Sequence, residues 1–214
     1  MEHLIGQSLG RYQIQTLLGT GGMGAVFKGY DPTLERSVAI KVMHPHFAQR
    51  ANFQERFLQE ARTAARLRHP GVVQVHDFGR AQSLLYIVME FIPGENLRQM
   101  LHHLADAKKW ILLPEAIQLV RQICLAVDYA HRQGVLHRDI KPDNIMLRDE
   151  RVEELPYRPV LTDLGLAKLV EGGLETQEGT SMGTPAYMSP EQALGEEADA
   201  RSDVYSMGIL LYEL

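Results

Sequence analysis

The chain has 214 residues, 45% of them hydrophobic, and carries a formal charge of -5 from 22 Lys and Arg against 27 Asp and Glu. That length supports one large domain or two small lobes with substantial apolar cores. The acidic balance argues against a nucleic-acid binder, the single Cys124 excludes an internal disulfide and fits a reducing cytoplasm, and no run reaches the roughly 18 apolar residues of a membrane span.

Residues 12–18 (YQIQTLL) alternate apolar and polar, 25–30 (AVFKGY) follow a glycine cluster, and 37–43 (SVAIKVM) follow the turn Asp31-Pro32-Thr33. This predicts an antiparallel meander. Phe53, Phe57, Ala61, Ala64 and Leu67 recur at helical spacing and predict an amphipathic helix ending before His69-Pro70-Gly71. Two more strand-like runs, 72–78 and 84–91, flank a polar stretch from Gly79 to Ser83, as in a hairpin. After Pro93-Gly94 the pattern turns helical. Asn96 is placed to cap a short helix, and Pro114 opens a longer one expected to turn Ile117, Val120, Cys124 and Val127 inward before Gly134. Cys124 then reads as a small core residue. The expected architecture is α+β, a sheet-rich lobe over 1–92 and a mainly helical lobe over 93–214, with ligands in a cleft between them. Residues 171–184 are polar and glycine-rich, the composition of a surface loop.

Gly19, Gly21 and Gly24 spell G-x-G-x-x-G, a spacing at which backbone amides can approach phosphate because no Cβ intervenes. A dinucleotide fold would open a helix directly after them, whereas this chain continues as strand, turn, strand. Both a hairpin flap over a nucleotide and a plain glycine turn fit. Lys41 sits in the apolar run VAIKVM, where a buried ammonium needs an anion, and Glu60 on the predicted helix can supply one. The bland alternative is a snorkelling lysine and a solvated glutamate.

The stretch His137-Arg138-Asp139-Ile140-Lys141-Pro142-Asp143-Asn144, with Thr162-Asp163-Leu164-Gly165 and GTPAYMSPE further on, changes the weighing. Together with the glycine loop, VAIK and the helix glutamate, these motifs resemble, in order, those of the protein kinase family from about Tyr12 onward. Overall the chain is similar to the bacterial serine/threonine type, which implies a bilobal fold.

The resemblance implies that Asp139 orients or deprotonates a substrate hydroxyl and that Lys141 steadies the transferring phosphate, the latter marking Ser/Thr specificity. It implies that Lys41, paired with Glu60, holds ATP phosphates beside Gly19, Thr20, Gly21, Gly22 and Gly24. Asn144 and Asp163 would hold Mg²⁺ or Mn²⁺. Met89 would back the adenine pocket, the backbone of Glu90 and Ile92 would bond adenine, and Val26, Ala39 and Met146 would cover its faces. His137 and Leu164 resemble packing residues, with Val75 and Ala64 as neighbours. Asp203 resembles the residue that braces the His137 loop. Partners would be proteins bearing Ser or Thr, with self-association for trans-autophosphorylation an open expectation. Arg138 before Asp139 implies control by loop phosphorylation, with Thr180 first and Thr176 and Ser181 next; Thr184 agrees with Ser/Thr specificity.

The pattern departs from the family in places. Leu164 replaces the usual Phe, Ser189-Pro190-Glu191 replaces Ala-Pro-Glu, and the nineteen-position step from Asn144 to Asp163 is long, so that RDERVEELPYRP reads as an exposed loop. The final DVYSMGILLYEL resembles the family's central buried helix, apolar all round, and the expectation is a catalytic domain cut short there, lacking the basic partner of Glu191. Two other readings stand beside an active kinase: a silent kinase-like scaffold, and a fragment inactive for want of later helices. A silent relative usually lacks Lys41, Asp139 or Asp163; all three are present. Bacterial relatives often continue into a membrane anchor.

Overall fold

The computed structural model describes residues 1–48, 51–164 and 185–214, which divide into two compact units. The first holds Met1–Arg66 and Gln74–Phe91; the second holds Leu67–Val73 and Ile92–Leu214.

In the first unit the strands are β1 (Ser8–Leu9), β2 (Tyr12–Gly21), β3 (Gly24–Asp31), β4 (Arg36–Met43), β5 (Val75–Ala81) and β6 (Leu84–Glu90). Among the described residues they form one antiparallel sheet in the order β1-β2-β3-β4-β6-β5. Helices α1 (Pro45–Ala48) and α2 (Ala51–Ala64) follow β4. The register sorts side chains by face, because opposed residues share a face and every second residue returns to it. Val26 lies opposite Lys41, and Ala39 opposite Met89, so these four share one face. Phe27, Ile40 and Val88 take the other, where Leu4, Leu9, Tyr12 and Ile14 complete a core. Phe27 and Ile40 are fully buried, worth about 1.5–3 kcal/mol each.

Three expectations change here. Leu67 falls beyond α2 and joins the core of the second unit. The β5–β6 loop is Gln82-Ser83, with Gln82 at φ 54, rather than Gly79 to Ser83. Gly79 pairs with Tyr86 inside the sheet, and a Cβ there would stand 2.7 Å from the Tyr86 hydroxyl, so this glycine serves close packing, not a turn. At the other end Val72 and Val73 are outside β5; Val72 bridges Leu161 in parallel, and Val73 N–H donates to Leu161 at 2.9 Å.

The second unit contains α3 (Leu97–Asp106), α4 (Leu113–Arg132), the hairpin β7 (Ile145–Arg148) and β8 (Arg158–Leu161), α5 (Pro190–Ala193) and α6 (Ala200–Glu213). Asn96 caps α3 reciprocally with Gln99, both bonds 2.9 Å. Pro114 occupies the first turn of α4, and Gly134, at φ +75, follows its end. The buried stripe of α4 is Ala116, Leu119, Ile123, Ala126, Val127 and Ala130. Of the expected inward set, Val127 is buried and Val120 packs half-buried against the core, whereas Ile117 is 49% exposed and Cys124 is exposed. Two adjacent apolar stripes run along this helix, and the packed one lies one position aside.

The long insertion is also not simply an exposed loop. Val152 and Leu155 bridge each other, Leu155 is buried in the core, and Tyr157 donates to Glu115 at 2.8 Å. Helix α6 buries Ser202, Asp203, Ser206, Met207 and Leu210, while Val204, Tyr205, Leu211 and Tyr212 are exposed, so it is not covered all round. Among the described residues no helix is long and apolar enough to cross a membrane. Thr176, Thr180, Ser181 and Thr184 lie outside the described residues.

Candidate functional site

The glycine cluster closes the β2–β3 hairpin, with Gly19 opposite Val26, Thr20 opposite Ala25 and Gly21 opposite Gly24. The glycines divide into two kinds. A Cβ on Gly24 would fall 1.9 Å from the Val42 carbonyl oxygen, so packing against β4 demands glycine there. Gly19, Gly21 and Gly22 face open space, where the missing Cβ leaves backbone approachable by a ligand. His44 N–H donates to Met23 at 2.9 Å, and its ring Nε2 lies 3.3 Å from the Gly21 carbonyl; sequence reasoning missed this tether.

Lys41 stands mid-sheet at 8% exposure, flanked by Val26 on β3 and Ile87 on β6. Glu60 is half-buried on α2. Ala39 and Met89 are buried side by side on Lys41's face. Glu90 N–H donates to the Gln74 carbonyl at 2.8 Å, and Ile92 opens the longer segment of the second unit.

In the second unit the side chains of the 137–144 run converge. Lys141 Nζ lies 2.9 Å from Asp139 Oδ2, and Asn144 Nδ2 donates to the same oxygen at 2.9 Å and to the Asp139 carbonyl at 2.8 Å. The Asp139 side chain stays one-third exposed, whereas Asn144 is buried in the turn Pro142–Asn144. Antiparallel pairing of Ile145 with Leu161 brings Thr162, the residue before Asp163, back beside Asn144 despite their separation in sequence. The Asn144 carbonyl accepts from Thr162 N–H at 2.9 Å and its hydroxyl at 3.1 Å. Met146, on β7, bridges Asn96. Leu164 is packed in the core.

The loop is held from beneath by Asp203, fully buried near the start of α6. Its carboxylate accepts from His137 N–H at 2.9 Å, Arg138 N–H at 2.7 Å and His131 Nε2 at 2.7 Å. Gln192 Nε2 donates to the Arg138 carbonyl at 2.8 Å. Arg138 and Asp163 adopt left-handed backbone, φ 67 and 62, a conformation that costs a non-glycine residue about 1–3 kcal/mol and persists only where surroundings enforce it. At Arg138 the enforcing bonds are those to Asp203 and Gln192. His137 is almost fully buried, and its Nδ1 accepts from Asp139 N–H at 3.3 Å, a structural role. Asp203 was legible in the sequence; His131 and Gln192 were not, because nothing near them in the chain marks their distant partners. Glu191 accepts from the Ser202 hydroxyl at 2.5 Å, a bond that holds its carboxyl below the usual range.

The donor set suits a hard divalent cation. Asn144 spends its amide nitrogen on Asp139, leaving the amide oxygen, and Asp163 adds a carboxylate; one or two such oxygens, completed by phosphate and water, are what Mg²⁺ takes. Among the described residues no group of three or more His, Cys, Asp and Glu could hold a metal alone.

Known proteins resemble this chain over most of its length. Residues 12–214 match the protein kinase domain. A probable serine/threonine-protein kinase of Streptomyces coelicolor is 44% identical over 213 residues, covering 96% of this chain and 30% of its own length. Serine/threonine-protein kinase PknA of Mycobacterium tuberculosis is 42% identical over 210 residues, covering 95% of this chain and 46% of its own. The crystal structure of the M. tuberculosis PknI kinase domain superposes with a TM-score of 0.74 at 31% identity, over 96% of this chain and 74% of that one. The chain thus spans less than half the length of these two curated relatives. By sequence and by fold, it belongs to the protein kinase domain family.

Proposed function

We propose that the chain is the catalytic domain of a serine/threonine protein kinase that transfers the γ-phosphoryl group of ATP to protein hydroxyls. The observation that carries this reading is the Asp139 carboxylate, fixed by Lys141 and Asn144 on a loop pinned by buried Asp203. Both contacts fall on Oδ2, which leaves Oδ1 to face the substrate hydroxyl and take its proton as the oxygen attacks phosphorus. The Lys141 ammonium stands beside that carboxylate, where it offsets charge on the transferring phosphoryl oxygens. In the first unit Lys41, paired with Glu60, holds phosphate, and the backbone of Gly19, Thr20, Gly21 and Gly22 covers it. Val26, Ala39, Met89 and Met146 contact adenine, and Glu90 and Ile92 bond it through the backbone. Asn144 and Asp163 would hold Mg²⁺ or Mn²⁺, which when bound supplies charge neutralisation at the phosphates. The same reading places the domain in the cytoplasm, acting on Ser- or Thr-bearing proteins and on further copies of itself.

The test is transfer from γ-labelled ATP to peptides that differ only in a Ser, Thr or Tyr acceptor. Label should enter the Ser and Thr peptides and fall by about 10²–10⁴ in Asp139→Asn, the usual worth of a general base. Undiminished transfer by that variant, or preference for Tyr, would overturn the assignment.

A further inference from the structure

His44 follows the last residue of β4 and holds the tip of the β2–β3 hairpin at two points. Its N–H donates to the Met23 carbonyl at 2.9 Å, and its ring Nε2 lies 3.3 Å from the Gly21 carbonyl oxygen. A carbonyl oxygen only accepts, so Nε2 is the protonated ring nitrogen. The two held carbonyls flank Gly22, where an added Cβ would meet nothing within 4 Å. In a planar trans peptide the N–H points opposite to the carbonyl of the same unit. Drawing the Gly21 carbonyl onto His44 therefore turns the Gly22 N–H to the other side of the loop.

The ring that makes this contact is itself held. It stacks on His46 at 5.7 Å and 15°, His46 lies 4.1 Å from Phe47, Phe47 stacks on Phe53 at 4.8 Å, and Phe53 on Phe57 at 6.4 Å. The three phenylalanines are buried, so the row runs from the loop tip into the core along α2, where Phe57 stands about one turn before Glu60. Ordering a surface side chain for one hydrogen bond ordinarily costs rotamer entropy comparable to what the bond returns, and stacking has already ordered this one. We infer that His44 is a positioning residue for the nucleotide: through the Gly21 carbonyl it aims the Gly22 N–H at a phosphate oxygen and so lowers the KM for ATP. The inference rests on the kinase reading given above, in which the backbone of Gly21 and Gly22 covers the phosphates.

The experiment compares the wild type with His44→Phe, which keeps a stacked ring and removes the donor, and His44→Gln, whose amide Nε2 restores a donor at similar reach. In His44→Phe the KM for ATP should rise about 2- to 10-fold, the worth of one hydrogen bond, while kcat and the KM for a Ser peptide stay within about twofold of wild type. His44→Gln should return most of that rise. An unchanged KM for ATP in His44→Phe overturns the inference. So does an equal rise in both variants, because the imidazole and not its bond would then matter, and so does a matching loss in kcat and in the KM for peptide, the mark of a general disturbance. Nitrogen–proton NMR spectra of protein labelled at glycine separate this inference from the kinase reading, because they need neither ATP nor turnover. The Gly22 amide signal, assigned by its loss in Gly22→Ala, should shift in His44→Phe and return in His44→Gln. A Gly22 signal that does not move overturns the inference, whereas a shift reversed by His44→Gln in a protein that transfers no phosphate supports the positioning by His44 and counts against the kinase reading alone.

Discussion

Replacing Asp203 with Asn perturbs the loop carrying Asp139 while hardly changing volume. The carboxylate is fully buried and accepts three bonds, from His137 N–H and His131 at Oδ2 and from Arg138 N–H at Oδ1. An amide has one accepting oxygen, so its least costly orientation keeps the two Oδ2 partners and sets an NH₂ against Arg138 N–H. Leaving that donor unsatisfied costs about 1–3 kcal/mol, and converting two charge-assisted bonds to neutral ones adds about 0.5–1.5 kcal/mol each. The sum, roughly 2–6 kcal/mol, is a large share of an ordinary domain stability of about 5–15 kcal/mol. Arg138 would also lose one of the bonds enforcing its φ of 67, which displaces Asp139 next to it. A displacement near 1 Å at a reacting group costs on the order of 10² in rate. Urea denaturation should show a lower midpoint at unchanged slope, and phosphotransfer by the folded protein should fall by about that factor. A stability change below about 0.5 kcal/mol, the range of an uninvolved surface site, together with wild-type transfer, would refute the reasoning.

Gly24→Ala puts a Cβ 1.9 Å from the Val42 carbonyl oxygen and should destabilise by about 1–3 kcal/mol in thermal or urea unfolding. Gly21→Ala enters open space; its stability should stay within about 0.5 kcal/mol of wild type while the KM for ATP rises, and the opposite ranking would contradict the two kinds of glycine. His69 is held below its usual range by burial and then by Arg158, its ring is stacked 5.1 Å from Tyr129, and its Nδ1 accepts from Gly71 N–H at 3.0 Å. The native state therefore binds fewer protons than the unfolded chain, so this stability is fully present above about pH 6.5 and is lost as pH falls below it. His69→Gln should remove that part of the pH dependence measured by urea unfolding. Asn144→Ala removes both side-chain bonds to Asp139 and one proposed cation ligand, and should raise the Mg²⁺ concentration for half-maximal transfer as well as lowering kcat.

What was legible in the sequence was local. The likeness to kinase motifs is what groups Val26 and Ala39 around a nucleotide, and the register of β3 against β4 puts both on Lys41's face. The run from His137 to Asn144 is contiguous, and its mutual bonds follow from a single turn. Misreadings arose where two signals overlapped. Gly79 looks like turn chemistry but makes room for the Tyr86 hydroxyl, and α4 carries two neighbouring apolar stripes of which periodicity cannot choose one. The 148–159 stretch reads as an exposed loop, yet it buries Leu155. Partners far apart in sequence, such as His131 with Asp203, Gln192 with the Arg138 carbonyl and Arg98 with Glu213, carry no short-range mark.

Mass spectrometry of the intact protein after incubation with Mg²⁺ and ATP, beside an Asp139→Asn control, tests the central claim most directly. The account predicts added phosphate on Ser or Thr in the wild type and none in the variant. Equal phosphate in both would contradict the role given to Asp139, and none in either would contradict kinase activity in this chain.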